Sequence, residues 1–337
     1  MRAIGFYAPG SIDREDALVD IALPDPSPGP HDVLVRIKAV SVNPADTKVR
    51  AGSAPPAGTA RILGYDAAGI VEAVGQDVSL FQPGDEVFYA GDITRPGTNA
   101  ELHLVDERIV GSKPRSLDWG AAAALPLTAI TAWETLFDRL DVTRPVPGVH
   151  ALLIIGGAGG VGSIAIQLAK ALTDLPVIAT ASRPETRDWV RKLGADHVVD
   201  HRQPLAGQIA ALDLGAPGFV FSTTHTVDHL PEIAQLIAPQ GRLAIIDDPK
   251  TLDIAPLKSK MISTHWEFMF GRPMYQTSDM DAQHKLLNEV SRLADTGRIV
   301  STVTERRSPI NAATLREAHA LVESETVRGK VVIEGWD

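Results

Sequence analysis

The sequence predicts an α/β protein made of a doubly wound parallel sheet and a second, mainly antiparallel β-barrel domain. Three observations carry that expectation. Short apolar runs broken by proline and glycine turns fill the first third of the chain. Strands and helices then alternate from residue 150 to about residue 270. A glycine-rich segment, Ile154-Ile-Gly-Gly-Ala-Gly-Gly-Val-Gly-Ser163, directly follows the most apolar strand. At 337 residues the chain has room for two or three domains of roughly 100–200 residues each.

The elements follow in order. Pro24-Asp-Pro-Ser-Pro-Gly-Pro30 must be loop, because proline fixes φ and has no N–H to donate. Asp32 to Val42 alternates apolar and polar residues, the period of a half-buried strand. Ala67 to Val74 is an apolar run closed by Gly75, and Phe81 to Val87 reads as a turn and a strand. Trp119 to Leu125 and Leu127 to Leu140 are rich in alanine and leucine and predict helices.

From His150 the texture changes to alternation. Ala151 to Ile155 is a continuous apolar strand, as expected where helices cover both faces of a parallel sheet. Ile164 to Leu172 and Glu185 to Leu193 predict helices, the second closed by Gly194. Val177 to Ala181, His197 to Asp200, Phe219 to Ser222, Arg242 to Ile246 and Met261 to Phe268 supply the other strands. The tail predicts a helix over Met280 to Thr296, a strand over Ile299 to Glu305, a helix over Ala312 to Glu323 and a strand over Lys330 to Glu334. The last strand is expected to rejoin the N-terminal domain. The nucleotide domain, residues 125–269, is then inserted into a catalytic domain formed by residues 1–124 and 270–337.

Composition removes several function classes. With 44% hydrophobic and 22% charged residues the chain is not disordered. A net charge of −10 without a basic stripe argues against nucleic acid or a membrane surface as partner. Cysteine is absent, so no thiolate can bind zinc or act as a nucleophile. The start lacks a signal-like apolar stretch. The most apolar segment, His150 to Gly160, contains glycines and is too short to span a bilayer. A cytoplasmic location is expected.

The glycine segment contains G-x-G-x-x-G as Gly157, Gly159 and Gly162, in the strand-to-helix context that the pattern requires. Gly157 is expected to allow the tight turn, Gly159 to let backbone approach a pyrophosphate, and Gly162 to let helix and strand pack closely. Gly160 and Val161 complete the helix N-terminus, whose free N–H groups favour phosphate. At the end of the next strand, Ser182 and Arg183 stand where an NAD site usually carries an acid. A hydroxyl and a guanidinium suit a 2′-phosphate, so NADPH is the expected cofactor. Ser182-Arg-Pro-Glu185 also reads as a capping box for the following helix. Of the ten histidines, His225 and His229 are four apart, as are His197 and His201, but neither pair has an obvious third metal ligand.

From end to end the chain resembles the medium-chain dehydrogenase/reductase superfamily, and within it the zeta-crystallin-like quinone oxidoreductases, whose members include proteins labelled zinc-type alcohol dehydrogenase-like. The residues that carry the resemblance are Ser41-Val-Asn-Pro-Ala-Asp-Thr-Lys-Val-Arg50, Ile62-Leu-Gly-Tyr-Asp-Ala-Ala-Gly69, Gln82-Pro-Gly-Asp-Glu-Val87, Ala124-Leu-Pro-Leu-Thr-Ala-Ile-Thr-Ala-Trp133, the glycine loop and Gly329-Lys-Val-Val332. The resemblance implies a GroES-like barrel, a Rossmann domain and a cleft between them. The zinc-dependent branch carries a catalytic cysteine where this chain has Asn43, and a His-Glu pair where it has Tyr65-Asp66. No metal is therefore expected. Asn43 and Tyr65 are the candidate catalytic donors, with Asp46 orienting the segment. Thr128 is expected near the nicotinamide. Ser222, Thr223 and His225, then Ile246 and Asp247, follow strands whose carboxyl ends face the cofactor. Lys330 either reaches the cofactor or caps its strand.

Without a metal, hydride transfer to a quinone or an α,β-unsaturated carbonyl is the expected reaction, because a conjugated acceptor needs only hydrogen-bond donors at the developing oxyanion. A 2-enoyl thioester reductase and a non-catalytic NADPH-binding protein are the alternatives. A homodimer is expected through the segment Met261 to Phe270, read as an edge strand carrying Ile262, Trp266, Phe268 and Phe270 on one side.

Overall fold

The computed structural model describes residues 1–147 and 151–336. His150, the expected start of the alternating region, lies outside them. The chain opens with β1 (Arg2–Phe6), β2 (Val19–Ala22), β3 (Asp32–Val42), α1 (Pro44–Gly52), β4 (Arg61–Ile62), β5 (Ala67–Val74), β6 (Glu86–Tyr89), β7 (Leu102–Asp106) and β8 (Val110–Ser112). Helices α2 (Trp119–Ala123) and α3 (Pro126–Trp133) follow, and α3 continues into a π-helical turn, Glu134–Arg139. Next come β9 (Leu152–Ile155), α4 (Gly160–Leu172), β10 (Val177–Thr180), α5 (Pro184–Lys192), β11 (His197–Val199), α6 (Leu205–Ala210), β12 (Phe219–Ser222), α7 (Thr226–Leu236), β13 (Arg242–Ile245) and β14 (Ser263–Trp266). The chain closes with α8 (Gly271–Tyr275), α9 (Ala282–Asp295), β15 (Val303–Arg307), α10 (Ala312–Glu323) and β16 (Lys330–Glu334).

Contacts divide the chain into two units, Met1–Ile130 with Phe270–Asp337, and Thr131–Met269. The first is organised by β3. Its alternate side chains, Val33, Val35 and Ile37, are buried, as the sequence period requires. One edge of β3 pairs with β5. The other is shared between β7, along Asp32 to Arg36, and β16, along Ala39 to Val42. A single 11-residue strand thus collects partners from both ends of the sequence, and β16 rejoins the N-terminal strands in antiparallel register. Among the described residues of this unit, only β15 runs parallel to its neighbour, β16.

The second unit is a six-stranded parallel sheet in the order β11-β10-β9-β12-β13-β14. Strands β9, β10, β12 and β13 are buried at every residue, which explains their unbroken apolar sequences. The chain winds outward from β9 in one direction to β11 and in the other to β14, so the strand order reverses beside β9, where open α/β sheets bind ligands.

Three expectations need correction. The edge strand ends at Trp266, and Phe270 is not on it. Phe270 is buried, with its ring 5.1 Å from that of Tyr65. Even spacing of aromatics alone overextended the strand. The expected strand over Ile299 to Glu305 is shifted to Val303–Arg307. Its register is fixed by pairing with β16, and Ile299 is instead buried after α9. The cap of α5 is Arg183 rather than Ser182, because Thr186 Oγ1, three residues on, accepts from Arg183 N at 3.2 Å.

Candidate active site and cofactor loop

In the parallel-sheet unit the turn after β9 is made by Gly156, whose φ of +79° is the left-handed conformation that favours glycine. The sequence pattern assigned that turn to Gly157. The structure gives Gly157 a different task, since a Cβ there would stand 2.8 Å from Ala179 Cβ, so its bareness lets the loop lie against β10. A Cβ on Gly162 would stand 2.4 Å from Gly156 O, so this glycine permits the close start of α4. Gly159, the N-cap, offers no side-chain cap to α4, and a Cβ on it would meet nothing closer than Gly156 O at 3.5 Å. Gly160, Val161 and Gly162 form the first turn of α4, whose N–H groups lack partners within the helix. A bare, uncapped N-terminus of a 13-residue helix at the sheet's reversal point fits a dinucleotide pyrophosphate.

At the end of β10, Ser182 and Arg183 are accompanied by Glu185, expected only as a capping partner, and by Arg202, which the sequence did not single out. Glu185 Oε1 pairs with Arg183 Nε at 3.1 Å across an exposed surface, an interaction weak enough for a phosphate to displace. Arg202, after β11, donates through Nη2 to Ser182 O at 3.0 Å and pairs with Asp200 at 2.8 Å. Its position after the third parallel strand was the available signal.

The residues after β12 and β13 form a linked set. Ser222 is buried, with Oγ 2.7 Å from Thr226 Oγ1. Thr223 Oγ1 donates to Ile155 O at 2.8 Å, tying this loop to the glycine turn. Ile246 N donates to Ser222 O at 3.3 Å. Asp247 accepts from Thr226 N at 2.9 Å and Thr226 Oγ1 at 2.5 Å, which anchors the start of α7. His225 is the N-cap of α7, held at φ +51°, with Nδ1 2.7 Å from Thr224 Oγ1.

In the β-rich unit the candidate catalytic residues gather in a buried polar cluster. Asn43 ends β3 in extended backbone because Pro44 opens α1. Lys330 opens β16, which pairs with β3, so its ammonium reaches Asn43 Oδ1, Asp66 Oδ2 at 3.0 Å and Val42 O at 3.3 Å. Asn43 Nδ2 donates to Asp66 Oδ2 at 2.8 Å. Asp66 Oδ1 accepts from Leu127 N at 2.8 Å, at the start of α3. Asp46 accepts from Asn43 N at 2.8 Å and Gly64 N at 2.9 Å. Lys330 therefore binds Asn43 and Asp66. Burial pushes the Asp66 carboxyl up while the Lys330 ammonium opposes it, and burial pushes Asp46 up to about 7 against its two N–H donors. Thr128 is buried, its Oγ1 donating to Leu125 O at 3.1 Å.

Tyr65 is different. Its side chain is buried, and its phenol oxygen lies near the Arg61 side chain without a hydrogen bond of good geometry among the described residues. Burial pushes the phenol up to about 12, with the Asp46 carboxyl adding to the shift and the Arg61 guanidinium opposing it. The group is a neutral donor throughout the physiological range. A buried hydroxyl without a well-formed hydrogen bond costs about 1–3 kcal/mol.

Among the described residues, no group of three or more His, Cys, Asp or Glu side chains is placed to hold a metal ion. No helix among them is long and apolar enough to cross a membrane.

Comparisons agree with this architecture. Residues 29–124 match the alcohol dehydrogenase GroES-like domain, and residues 160–289 match the zinc-binding dehydrogenase domain. A zinc-type alcohol dehydrogenase-like protein of Staphylococcus aureus is 40% identical over 336 residues, covering 99% of each chain. The human mitochondrial NAD(P)H oxidoreductase RTN4IP1 is 30% identical, covering 90% of this chain and 82% of its own. A solved Rhizobium etli protein, named for zinc-dependent alcohol dehydrogenases, superposes with a TM-score of 0.98 at 64% identity, covering 100% of this chain and 98% of the other. With a GroES-like domain, a Rossmann-like parallel sheet and full-length relatives at this identity, the chain belongs to the medium-chain dehydrogenase/reductase superfamily.

Proposed function

We propose that this chain is an NADPH-dependent oxidoreductase that reduces a quinone or an α,β-unsaturated carbonyl without zinc. The coarser part, an NAD(P)H oxidoreductase, follows from its superfamily and from the human relative. The observation that supports the finer part is the Tyr65 phenol, buried and neutral, with no hydrogen bond of good geometry among the described residues.

NADPH, when bound, supplies the hydride. The chain's residues do the rest. The uncapped start of α4 binds the pyrophosphate, and Ser182 with Arg183 binds the 2′-phosphate. Tyr65 Oη donates a hydrogen bond to the acceptor's oxygen, where negative charge develops as hydride adds to the conjugated carbon. Asn43 is a positioning residue here, since both ends of its amide are committed to Lys330 and Asp66. The ammonium of Lys330 holds the cluster together where the zinc-dependent branch carries metal ligands. A carbonyl without conjugation would need stronger polarisation than one phenol gives.

The test is NADPH oxidation with a panel of enones, quinones and 2-enoyl thioesters, run with wild type and Tyr65→Phe. Turnover of enones or quinones, reduced about a hundredfold in kcat by the substitution, is the expected result. Turnover of thioesters alone would favour enoyl reduction, and NADPH binding with no turnover would favour a binding protein. Either outcome overturns the proposal.

A further inference from the structure

The parallel-sheet unit brings together histidines that sequence spacing kept apart. His201, after β11, meets His229, on α7, with ring centroids 6.5 Å apart and planes at 66°. The cause lies in the core. Leu205 and Ile209 of α6 and Leu230 and Ile233 of α7 bury against the same sheet face as Val199 of β11, which draws the two loops together. Arg202, the next residue after His201, touches Ser182 O at 3.0 Å, so the loop that carries His201 reaches the segment assigned to the 2′-phosphate.

The charges around the pair are mixed. Asp200 and Arg202 flank His201 on its own loop, and His229 and His225 face it from α7 and its cap. His229 faces His225, Asp228 and Glu232 from α7 and its cap, and Asp247 from beyond β13. Both imidazoles are half-buried, and burial holds both below the usual histidine range, with the neighbouring histidines adding to the depression. Both are therefore neutral at neutral pH, with room to take up a proton when an anion arrives.

We propose that His201 and His229 are specificity-determining residues, a proton-accepting pair that couples binding of the 2′-phosphate to uptake of a proton from solvent and so favours NADPH over NADH as pH falls. The step is a protonation. One ring nitrogen gains a proton from water and the pair carries one positive charge opposite a phosphate dianion. NADH brings no such dianion and draws no such proton. The inference rests on the NADPH assignment above.

Calorimetric titration of the full chain with NADPH, in two buffers of different ionisation enthalpy at pH 7, counts the protons taken up. The 2′-phosphate's own titration is common to wild type and variants. Net uptake is expected in wild type, less in His201→Gln and in His229→Gln, and little with NADH in any of them. From pH 7.5 to 6.5 the ratio of NADPH to NADH affinity should rise by up to about tenfold in wild type and flatten in both variants. Unchanged NADH affinity shows that a variant is folded. Binding of NADPH with the same proton count in all three proteins would overturn this inference alone, whereas absence of NADPH binding would overturn the cofactor assignment together with it.

Discussion

Lys330 and Tyr65 show what single residues contribute. Lys330 is 3% exposed and its ion pair with Asp66 is fully enclosed, so the pair matters most when one member is removed. Lys330→Met should destabilise the protein by about 3–5 kcal/mol, because Asp66 and Asn43 keep their burial and lose their cation. Adding Asp66→Asn should recover part of that loss. Denaturant unfolding of the single and double variants checks this, and equal stability of wild type and Lys330→Met would contradict it. Sequence reading marked both Asn43 and Lys330 but left Lys330 divided between the cofactor and its own strand. Their contact joins residues 287 positions apart, and no local period carries information about such a pairing. The hydrogen bonds of Asp46 were more legible, because Asn43-Pro-Ala-Asp46 is itself a local helix start. The burial of the Tyr65 phenol without a well-formed hydrogen bond was not legible, since burial and bond geometry are properties of packing.

Elements show where periodicity suffices. The buried parallel strands were readable as unbroken apolar runs, and α10 and β16 lie at their expected bounds. The π-helical turn Glu134–Arg139 was expected only as helix. Glu134 and Glu267, both buried, come together beside it, and Arg139 Nε donates to Glu267 Oε2 at 2.8 Å. Burial pushes the Glu267 carboxyl up to about 9, with the Glu134 carboxyl adding to the shift and the Arg139 guanidinium opposing it. The unfolded chain ionises this group near 4.5, so between there and about 9 the folded state holds the extra proton. Stability from this group is complete below that window and falls as pH rises through it, by on the order of 1 kcal/mol per pH unit. Glu267→Gln, which keeps the neutral form, should flatten the stability profile between pH 6 and 9. Chemical unfolding across that range measures it, and parallel profiles for wild type and variant would refute the assignment.

At the scale of the whole molecule, the fold class was legible because it depends on local pattern, whereas surfaces depend on what remains after packing. At the edge strand β14, Trp266 and, two residues beyond the strand's end, Phe268 are about half exposed, at 53% and 52%. An unpaired edge beside two aromatic side chains is surface that soluble proteins normally cover, and a second copy around a two-fold axis would cover both. Light scattering at micromolar concentration should give about twice 36.0 kDa, lowered by Phe268→Asp. A monomer mass unchanged on concentration would reject the dimer. We propose that conjugated carbonyl reduction in this chain runs on a phenol and a buried ammonium-bound cluster in place of zinc. The most direct measurement is the metal content of chelator-treated protein alongside NADPH oxidation by the same sample with an enone or quinone. Full activity with far less than one zinc per chain is the predicted result, and about one zinc per chain whose removal abolishes turnover would contradict it.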